Sequence, residues 1–526
     1  MTDTFDADVV IVGLGPVGAT AANLAHDLGL RVAAFDRAAG IEPRPRAVGF
    51  DQEAMRVFGG LGLADAIADH VMPYRPSEYH NGDGQVIKRI GTAPPPHPLG
   101  WAPNYVFLQP RLEGALRRRL ARVDGVDVHL GTEVTDVRLD GEGATVEVVE
   151  ATGCRRELRA RYVLACDGGG SPSRRRLGLR MDDLEFDQPW LVVDLLLRPG
   201  AGEGLPRTNV QYCEPARPST FVVGPGNHRR WEFMINSDER PEDVSDPDFI
   251  RALLSRWLDP EEYDLWRAAT YRFHALVLGQ WRVRRLFFLG DAAHMTPPFL
   301  AQGMCQGIRD ASNLMWKLAL HLRADAADTL LDTYQQEREP HVRQVTLTAK
   351  EFGHVICERD EATAAKRDAD LLAELAAQPE GTIRQSLIPG LLAGFLAPDG
   401  FPARGDILPQ PRATDVEART GLLDEFTGSH FRLVTRHDTD PAAVASALRA
   451  HHADNGFPIR LVRLTDGTAP GGRDEYHEDH GVLDSWMRRH ACAAVLARPD
   501  HYVFGGVRSA DDLSSLLASA RRQLRG

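Results

Sequence analysis

The stretch Gly13-Leu-Gly15-Pro-Val-Gly18 constrains this chain more than any other feature. It sits between an apolar run at 8–12 and an alanine-rich stretch at 19–28 closed by Gly29, and a second apolar run at 30–35 ends on Asp36. In order, that reads strand, tight turn, helix, strand. Gly13 permits the turn, Gly15 lets backbone approach a pyrophosphate, and Gly18 lets helix pack on strand. The helix N-terminus then faces the phosphates, and Asp36 accepts from a ribose hydroxyl. Glycine turns alone match this spacing by chance. The strand–turn–helix frame with an acid after it is what points to a dinucleotide.

The 526 residues exceed one compact core and suit two to four domains. Lys and Arg number 61 against 74 Asp and Glu, a net charge of −13, which argues against a chain-wide nucleic-acid or anionic-membrane surface. No stretch approaches the roughly 18 apolar residues of a membrane span. The short apolar run at 9–12 follows three aspartates, which argues against a secretory leader. Cysteines at 154, 166, 213, 305, 357 and 492 form no CxxC or zinc-like spacing, so they read as reduced thiols of a cytoplasmic, metal-free protein.

Residues 73–104 are rich in Pro and Gly and break the periodicity, so the chain leaves its first domain there. Positions 111–123 read as an arginine-heavy helix, 126–139 and 144–149 as a strand pair, and 161–166 as a returning strand. From 186 to 275 the pattern is strands, at 190–197, 209–213, 220–223 and 230–235, an antiparallel sheet inserted between pieces of the first domain. A strand at 285–289, a helix at 308–322 and a helical region at 328–378 follow. A Pro/Gly-rich passage at 398–411 reads as a linker to a small α/β module.

Two further stretches gain meaning together. One is Cys166-Asp167-Gly168 with Ser171 and Arg174; the other is Gly290-Asp291-Ala-Ala-His294, continuing through Pro297-Pro298 to Gly303-Met-Cys-Gln-Gly307. A strand ending in Asp-Gly is by itself an ordinary turn. The order GxGxxG, DG, GD resembles the class A FAD-dependent aromatic hydroxylases, a group of flavoprotein monooxygenases, over roughly residues 6–380 and on into the C-terminal module. Pro45-Arg-Ala47, Phe107-Leu-Gln-Pro110 with Leu112-Glu113, Pro189-Trp190, Arg230-Trp-Glu-Phe233 and Trp316-Lys-Leu318 make it similar to the 3-(3-hydroxyphenyl)propionate hydroxylase type.

The resemblance implies an α/β fold: a Rossmann-like FAD-binding domain (1–75, 105–185 and 276–395), an inserted antiparallel β-sheet substrate domain (76–104 and 186–275), a linker at 396–411 and a thioredoxin-like C-terminal module at 412–526. It implies that Gly13, Gly15, Pro16 and Gly18 cradle the pyrophosphate, and that Asp36 and Arg37 hold the adenosine ribose and neighbouring phosphate of FAD. Arg46 approaches the flavin and the reductant, Gln109 the ribityl side, and Val134 the adenine through its backbone. Asp167 serves FAD and nicotinamide, supported by Arg174. Gly290 and Asp291 take the ribityl chain and Pro298 lines the flavin face. Backbone amides at Gly303, Met304 and Cys305 open a helix whose positive end faces the reduced ring. The family usually reads Gly-x-Gly-x-Asn-x-Gly here, whereas this chain has Ala301-Gln-Gly303-Met-Cys305-Gln-Gly307. A backbone role survives that change; a side-chain amide role does not.

Other residues read as structural. His294 reads as a histidine fixing local backbone, Cys305 as a small packing residue, and Arg175 and Arg176 as a solvated face. His451, His452 and the histidines at 477 and 480 read as surface residues. The C-terminal module holds only Cys492, which excludes dithiol chemistry and leaves structural support or a homodimer contact as its job.

In the mechanism so implied, NADH or NADPH reduces FAD, O2 adds at the flavin C4a, and the hydroperoxide hydroxylates a small phenol such as 3-(3-hydroxyphenyl)propionate in aromatic catabolism. The flavin carries the chemistry and no protein group is singled out as catalytic. A closed apolar pocket must shield the peroxide. Gln211, Tyr212, Trp231, Phe233 and Phe299 are the expected lining, with Cys213 beside them, although strand alternation lets only half of the sheet residues face it. Hydroxylation of an aromatic polyketide in antibiotic biosynthesis, and an FAD-binding reductase or redox-responsive protein without oxygen transfer, are the alternatives.

Overall fold

Strand Ala7–Val12 is buried along its whole length because it lies at the centre of a parallel sheet with both faces covered. The computed structural model of the protein describes residues 5–398 and 400–526, so the first four residues of the stretch read against a leader lie outside it. Strand Ala7–Val12 pairs with Val32–Asp36 on one side and Arg155–Ala165 on the other. Val126–Leu130 extends the first side and Leu286–Phe288 the second, all parallel. The register sets Val12 opposite both Phe35 and Ala165, and Ala165 opposite Phe288. The GxGxxG turn, the Asp-Gly turn and the Gly-Asp turn therefore leave the same edge side by side. This is the crevice at which strand order reverses, where open α/β sheets bind ligands.

Helix Pro16–Asp27 packs on helix Gly303–Arg323, which runs 21 residues and is buried along most of its length. The helical region at 328–378 divides into Thr329–Cys357, which carries Pro340 inside it, and Glu361–Ala377.

The second sheet has nine strands. Its core runs Tyr263–Leu278, Met181–Leu197, His228–Met234, Ser219–Val223 and Val210–Tyr212. The hairpin Ser77–His80 and Val86–Gly91 joins it, with Thr382–Ile383 at the far edge. The 16-residue strand Tyr263–Leu278 was not separately resolved by sequence pattern, since charged and apolar residues interrupt its alternation. The sheet is not purely antiparallel: Val210–Tyr212 runs parallel to Ser77–His80, and Thr382–Ile383 to Val86–Gly91.

The C-terminal module is a seven-stranded mixed sheet with Phe431–Thr435 at its centre, parallel to Ile459–Leu464 and antiparallel to Ala494–Ala497. Helices Pro441–Ala453 and Leu513–Arg525 pack against one another beside it. The segment before it is not a free tether: Phe395, Ala403 and Leu408 are fully buried, and Gly405 exchanges backbone hydrogen bonds with Leu391 and Val503. Its prolines and glycines serve packed turns.

The module is joined to the first domain by buried charge. Arg56 donates to both Asp424 oxygens (2.6 and 3.1 Å), and Arg498 donates to Glu337 (2.7 Å) and to Asp500 (2.6 Å). Trp316 stacks edge-on against Phe395 and Phe431. His451 is buried and bonds the Phe457 carbonyl at 2.9 Å, which corrects the surface reading of that residue: it closes the end of its own helix.

Candidate active site

Gly13 has φ +93°, and a Cβ there would stand 2.5 Å from the Cys166 carbonyl oxygen of the neighbouring strand. A Cβ on Gly18 would collide with the Gly13 carbonyl oxygen. Both glycines are thus demanded by the closeness of turn, helix and strand. Gly15 differs: nothing lies within 4 Å of its missing side chain, so open space remains beside the helix N-terminus.

Asp36 accepts from the Leu14 N–H at 3.0 Å and the Ala38 N–H at 2.8 Å. Arg117, on helix Gln109–Leu120, donates to Asp36 (3.2 Å) and to the Leu14 carbonyl (2.8 Å), tying acid and glycine turn together. Sequence reading saw only an arginine-heavy helix here. Its spacing from Gln109 and Glu113 along one face was the available signal. Gln109 accepts from the Arg46 and Ala47 N–H groups (3.0 and 2.6 Å) and donates to Glu113 (2.7 Å). Arg37 is exposed at the strand end, and Val134 is buried in strand Thr132–Leu139, its carbonyl accepting from Arg176 at 3.4 Å.

Asp167 accepts from the Ser171 hydroxyl (2.5 Å) and the Ser173 N–H (2.9 Å), which shape its turn. Arg174 is buried and donates to the Ala292 carbonyl (2.9 Å) and the Gly169 carbonyl (2.6 Å), so it bolts the DG turn to the GD turn. Arg175 and Arg176 are exposed. His294 and the Gly290 N–H both reach Asp310 Oδ2 (2.7 and 3.0 Å), and Arg338 donates to its other oxygen (2.9 Å). Desolvation pushes the Asp291 carboxyl above its usual range, against the pull of His294 and Arg46. Burial drives the Cys305 thiol far up as well, and its Sγ bonds the Ala301 carbonyl, so it is an inert packing residue. Ala301, where the family has glycine, sits at φ +53° in the left-handed region. For an L-residue that costs about 1–2 kcal/mol.

A cavity of about 490 Å³ lies between this edge and the nine-stranded sheet, a volume suited to a small organic ligand. Gly15, Pro16, Arg46, Gln109, Asp291 and Pro298 line it, with Gly303 and Met304 at the N-terminus of the long helix. Asp36, Arg37 and Val134 stand off it, along the first sheet.

The opposite wall follows strand alternation. Gln211, Thr220, Arg230 and Glu232 face the cavity, as does Phe299. Tyr212, Trp231 and Phe233 do not: they point to the other face, into a separate core with Ile250 and Leu254 of helix Pro247–Leu254. Cys213 packs beneath, beside Trp190 and Ala275. Of the five expected residues, Gln211 and Phe299 face this cavity, whereas Tyr212, Trp231 and Phe233 are corrected to the opposite face, because the large aromatics satisfy a second core. Arg230 is bound to Asp194 by two hydrogen bonds (2.7 and 2.9 Å) and donates to the Pro45 and Arg46 carbonyls (2.8 and 2.7 Å). Arg267 also donates to Pro45. The sheet thereby grips the loop that carries Arg46.

The donor set fits FAD. Open backbone at Gly15, amides at two helix N-termini, and Asp291 facing the cavity are what a pyrophosphate, an isoalloxazine and a ribityl chain require.

Known proteins share this chain's sequence pattern and fold. Residues 6–349 match the family described as FAD binding domain, and residues 405–523 the HcaD C-terminal domain. A probable NADH-specific resorcinol 4-hydroxylase of Rhodococcus jostii (strain RHA1) is 38% identical over 97% of this chain and 93% of its own length. A 3-(3-hydroxy-phenyl)propionate/3-hydroxycinnamic acid hydroxylase of Mycobacterium sp. (strain JLS) is 33% identical over 96% of this chain and 89% of its own. Among solved structures, the flavin-dependent monooxygenase PieE with FAD and substrate superposes with TM-score 0.83 at 22% identity, covering 98% of this chain and 99% of that one. Aklavinone-11 hydroxylase with FAD and aklavinone gives 0.80 at 22%, covering 99% and 100%.

Proposed function

Since the chain belongs to the FAD-binding family of flavoprotein aromatic hydroxylases, we propose that it is an NADH-dependent monooxygenase that hydroxylates a monocyclic phenol. The observation that carries this reading is the convergence of three separated turns on one rim of a cavity whose far wall is polar. Full-length relatives whose names specify resorcinol and 3-(3-hydroxy-phenyl)propionate support a single-ring substrate. NADH is favoured over NADPH by the name of the 38% identical relative.

When bound, FAD would supply the redox chemistry, as hydride acceptor and as the site of O2 activation. The chain's own residues do the rest. Gly13, Gly15, Pro16 and Gly18 would seat the pyrophosphate, Asp36 and Arg37 the adenosine ribose, and Val134 the adenine. Asp291 and Gly290 would take the ribityl chain beside Gln109, with Asp167 and Arg174 holding the adjoining turns. Pro298, Gly303, Met304 and Cys305 would present backbone to the ring, where the helix N-terminus would favour negative charge. Phe273, Phe299 and Val192 exclude water from the cavity. Arg46, its backbone held by Arg230 and Gln109, lines the cavity, where it would approach the reductant.

The test follows NADH and NADPH oxidation with resorcinol, 3-hydroxyphenyl acids and polycyclic phenols, with product and H2O2 measured together. A yellow protein that converts a monocyclic phenol to a product with one more hydroxyl supports the reading. Product only from polycyclic phenols, or a colourless protein that takes up no FAD, overturns it.

A further inference from the structure

On its sheet side the cavity is lined by a buried acid that the fold leaves without a hydrogen bond. Glu232 lies on strand His228–Met234, its side chain is 9% exposed, and it faces the cavity. Its charged neighbour is Arg230, at 3.7 Å, too far for a hydrogen bond. Four of the five Arg230 N–H donors already go to Asp194 and two backbone carbonyls. Across the ladder Glu232 stands opposite Val192 on one side and Thr220 on the other, and the Thr220 hydroxyl is turned away to Gln211 at 2.5 Å. A buried carboxyl with free acceptor capacity, aimed into a cavity, needs a partner that enters with a ligand.

We propose that Glu232 is a catalytic residue: its carboxylate accepts the hydrogen bond of the substrate's phenolic hydroxyl and takes that proton as the ring is activated. This rests on the phenol hydroxylase reading above. In the step, the phenolic O–H bond breaks and a carboxyl O–H bond forms on Glu232. The bonding pair stays on the phenolate oxygen, which enriches the ring, and nothing is oxidised or reduced. The proton leaves Glu232 when the product departs.

Burial raises the Glu232 carboxyl above its ordinary range, with Arg230 opposing and Asp194 adding to the rise. That direction makes it a stronger base. The other charged or titratable groups lining this space are Arg267, Tyr271, Arg272 and His274 from strand Tyr263–Leu278, the last two directed to Asp187, and Tyr74 and Arg384 from the far edge. Arg46 and Asp291 stand on the flavin side. Arg267 is taken up by Pro45, and Arg384 donates to Leu300 and Ser77, which leaves Glu232 as the acid of the polar wall.

The test compares wild type, Glu232→Gln and Glu232→Asp, each with its FAD-to-protein ratio measured to establish folding. Hydroxylated product per NADH is recorded from pH 6 to 10, and ultraviolet difference spectra report ionisation of resorcinol bound to the oxidised enzyme. We expect E232Q to lose about 10²-fold in hydroxylation at pH 7. The loss should shrink as the pH nears about 10, where a phenol ionises unaided. E232D should recover part of it, and the phenolate signal at neutral pH should vanish in E232Q. Wild-type turnover with an E232Q profile and spectrum superimposable on it overturns the assignment alone. A wild type that hydroxylates no phenol overturns the function reading, and this one with it.

Discussion

Removing one charge from the join between the C-terminal module and the first domain has a cost that the structure lets one work out. Glu337 is fully buried. One of its oxygens accepts from Lys317 (2.7 Å), Arg498 (2.7 Å) and Asn313 (2.6 Å), and the other from the Phe395 N–H (2.7 Å). Burial by itself would raise this carboxyl; the charges of Arg498 and Lys317 outweigh it and hold it at about 2, against an ordinary 4.5. That difference is worth about 3 kcal/mol. Burial draws the Lys317 ammonium the other way, from 10.5 to about 8, a similar amount with opposite sign. Loss of one partner is costly because the other charge then stays buried and uncompensated. Glu337→Gln strands Lys317 and part of Arg498, and should cost about 3–5 kcal/mol.

The sign with pH follows. The Glu337 contribution is complete above about 4.5 and is lost as the pH falls towards 2, so the acid limb should be shallower in E337Q than in wild type. Lys317 binds its proton less readily folded than unfolded, so E337Q should regain stability as the pH rises from 7 towards 10. Urea unfolding followed by circular dichroism, with limited proteolysis of the segment at 378–411, reads both effects. The double variant Lys317→Met, Glu337→Gln should recover most of the loss. The reasoning fails if E337Q costs less than about 1 kcal/mol, or if the double variant is less stable than the single.

Gly13→Ala should yield a protein that purifies without yellow colour and takes up no added FAD, since the new Cβ would press on the Cys166 carbonyl at a positive φ. Arg117→Met should weaken FAD binding about tenfold, measured by flavin fluorescence on titration, because Asp36 and the Leu14 carbonyl lose a shared charged donor. Trp231→Ala should lower stability by about 3–5 kcal/mol in urea while leaving the KM for the phenol unchanged, as Trp231 packs against Phe221 and Trp257 on the face away from the cavity. A large KM change in that variant would place the aromatic on the wrong face.

The order of motifs was legible along the chain because each one is a local device. Gly13, Gly15 and Gly18 meet backbone demands within a single strand–turn–helix unit, and Asp36 closes the next strand. Asp167 and Gly290 likewise announce turns at strand ends. What local pattern does not carry is which face of a strand a side chain takes when both faces are buried. In His228–Met234 nearly every position is buried, so the strand shows no apolar–polar contrast to orient it. Size then misled: Trp231 and Phe233 suit a pocket wall by chemistry, yet the helix Pro247–Leu254 covers them.

Long-range charge lies equally beyond the sequence. Arg56 meets Asp424, Arg230 meets the Pro45 carbonyl, and Glu337 meets Arg498 across separations that no spacing rule spans. The sequence by itself determined the dinucleotide frame, the inserted sheet and the family, because these rest on backbone geometry repeated locally. Only the tertiary structure decided that Arg230 grips the loop of Arg46 and that Glu232 is left facing the cavity without a hydrogen bond. Those outcomes depend on which groups burial brings together, and burial is a property of the whole packed chain.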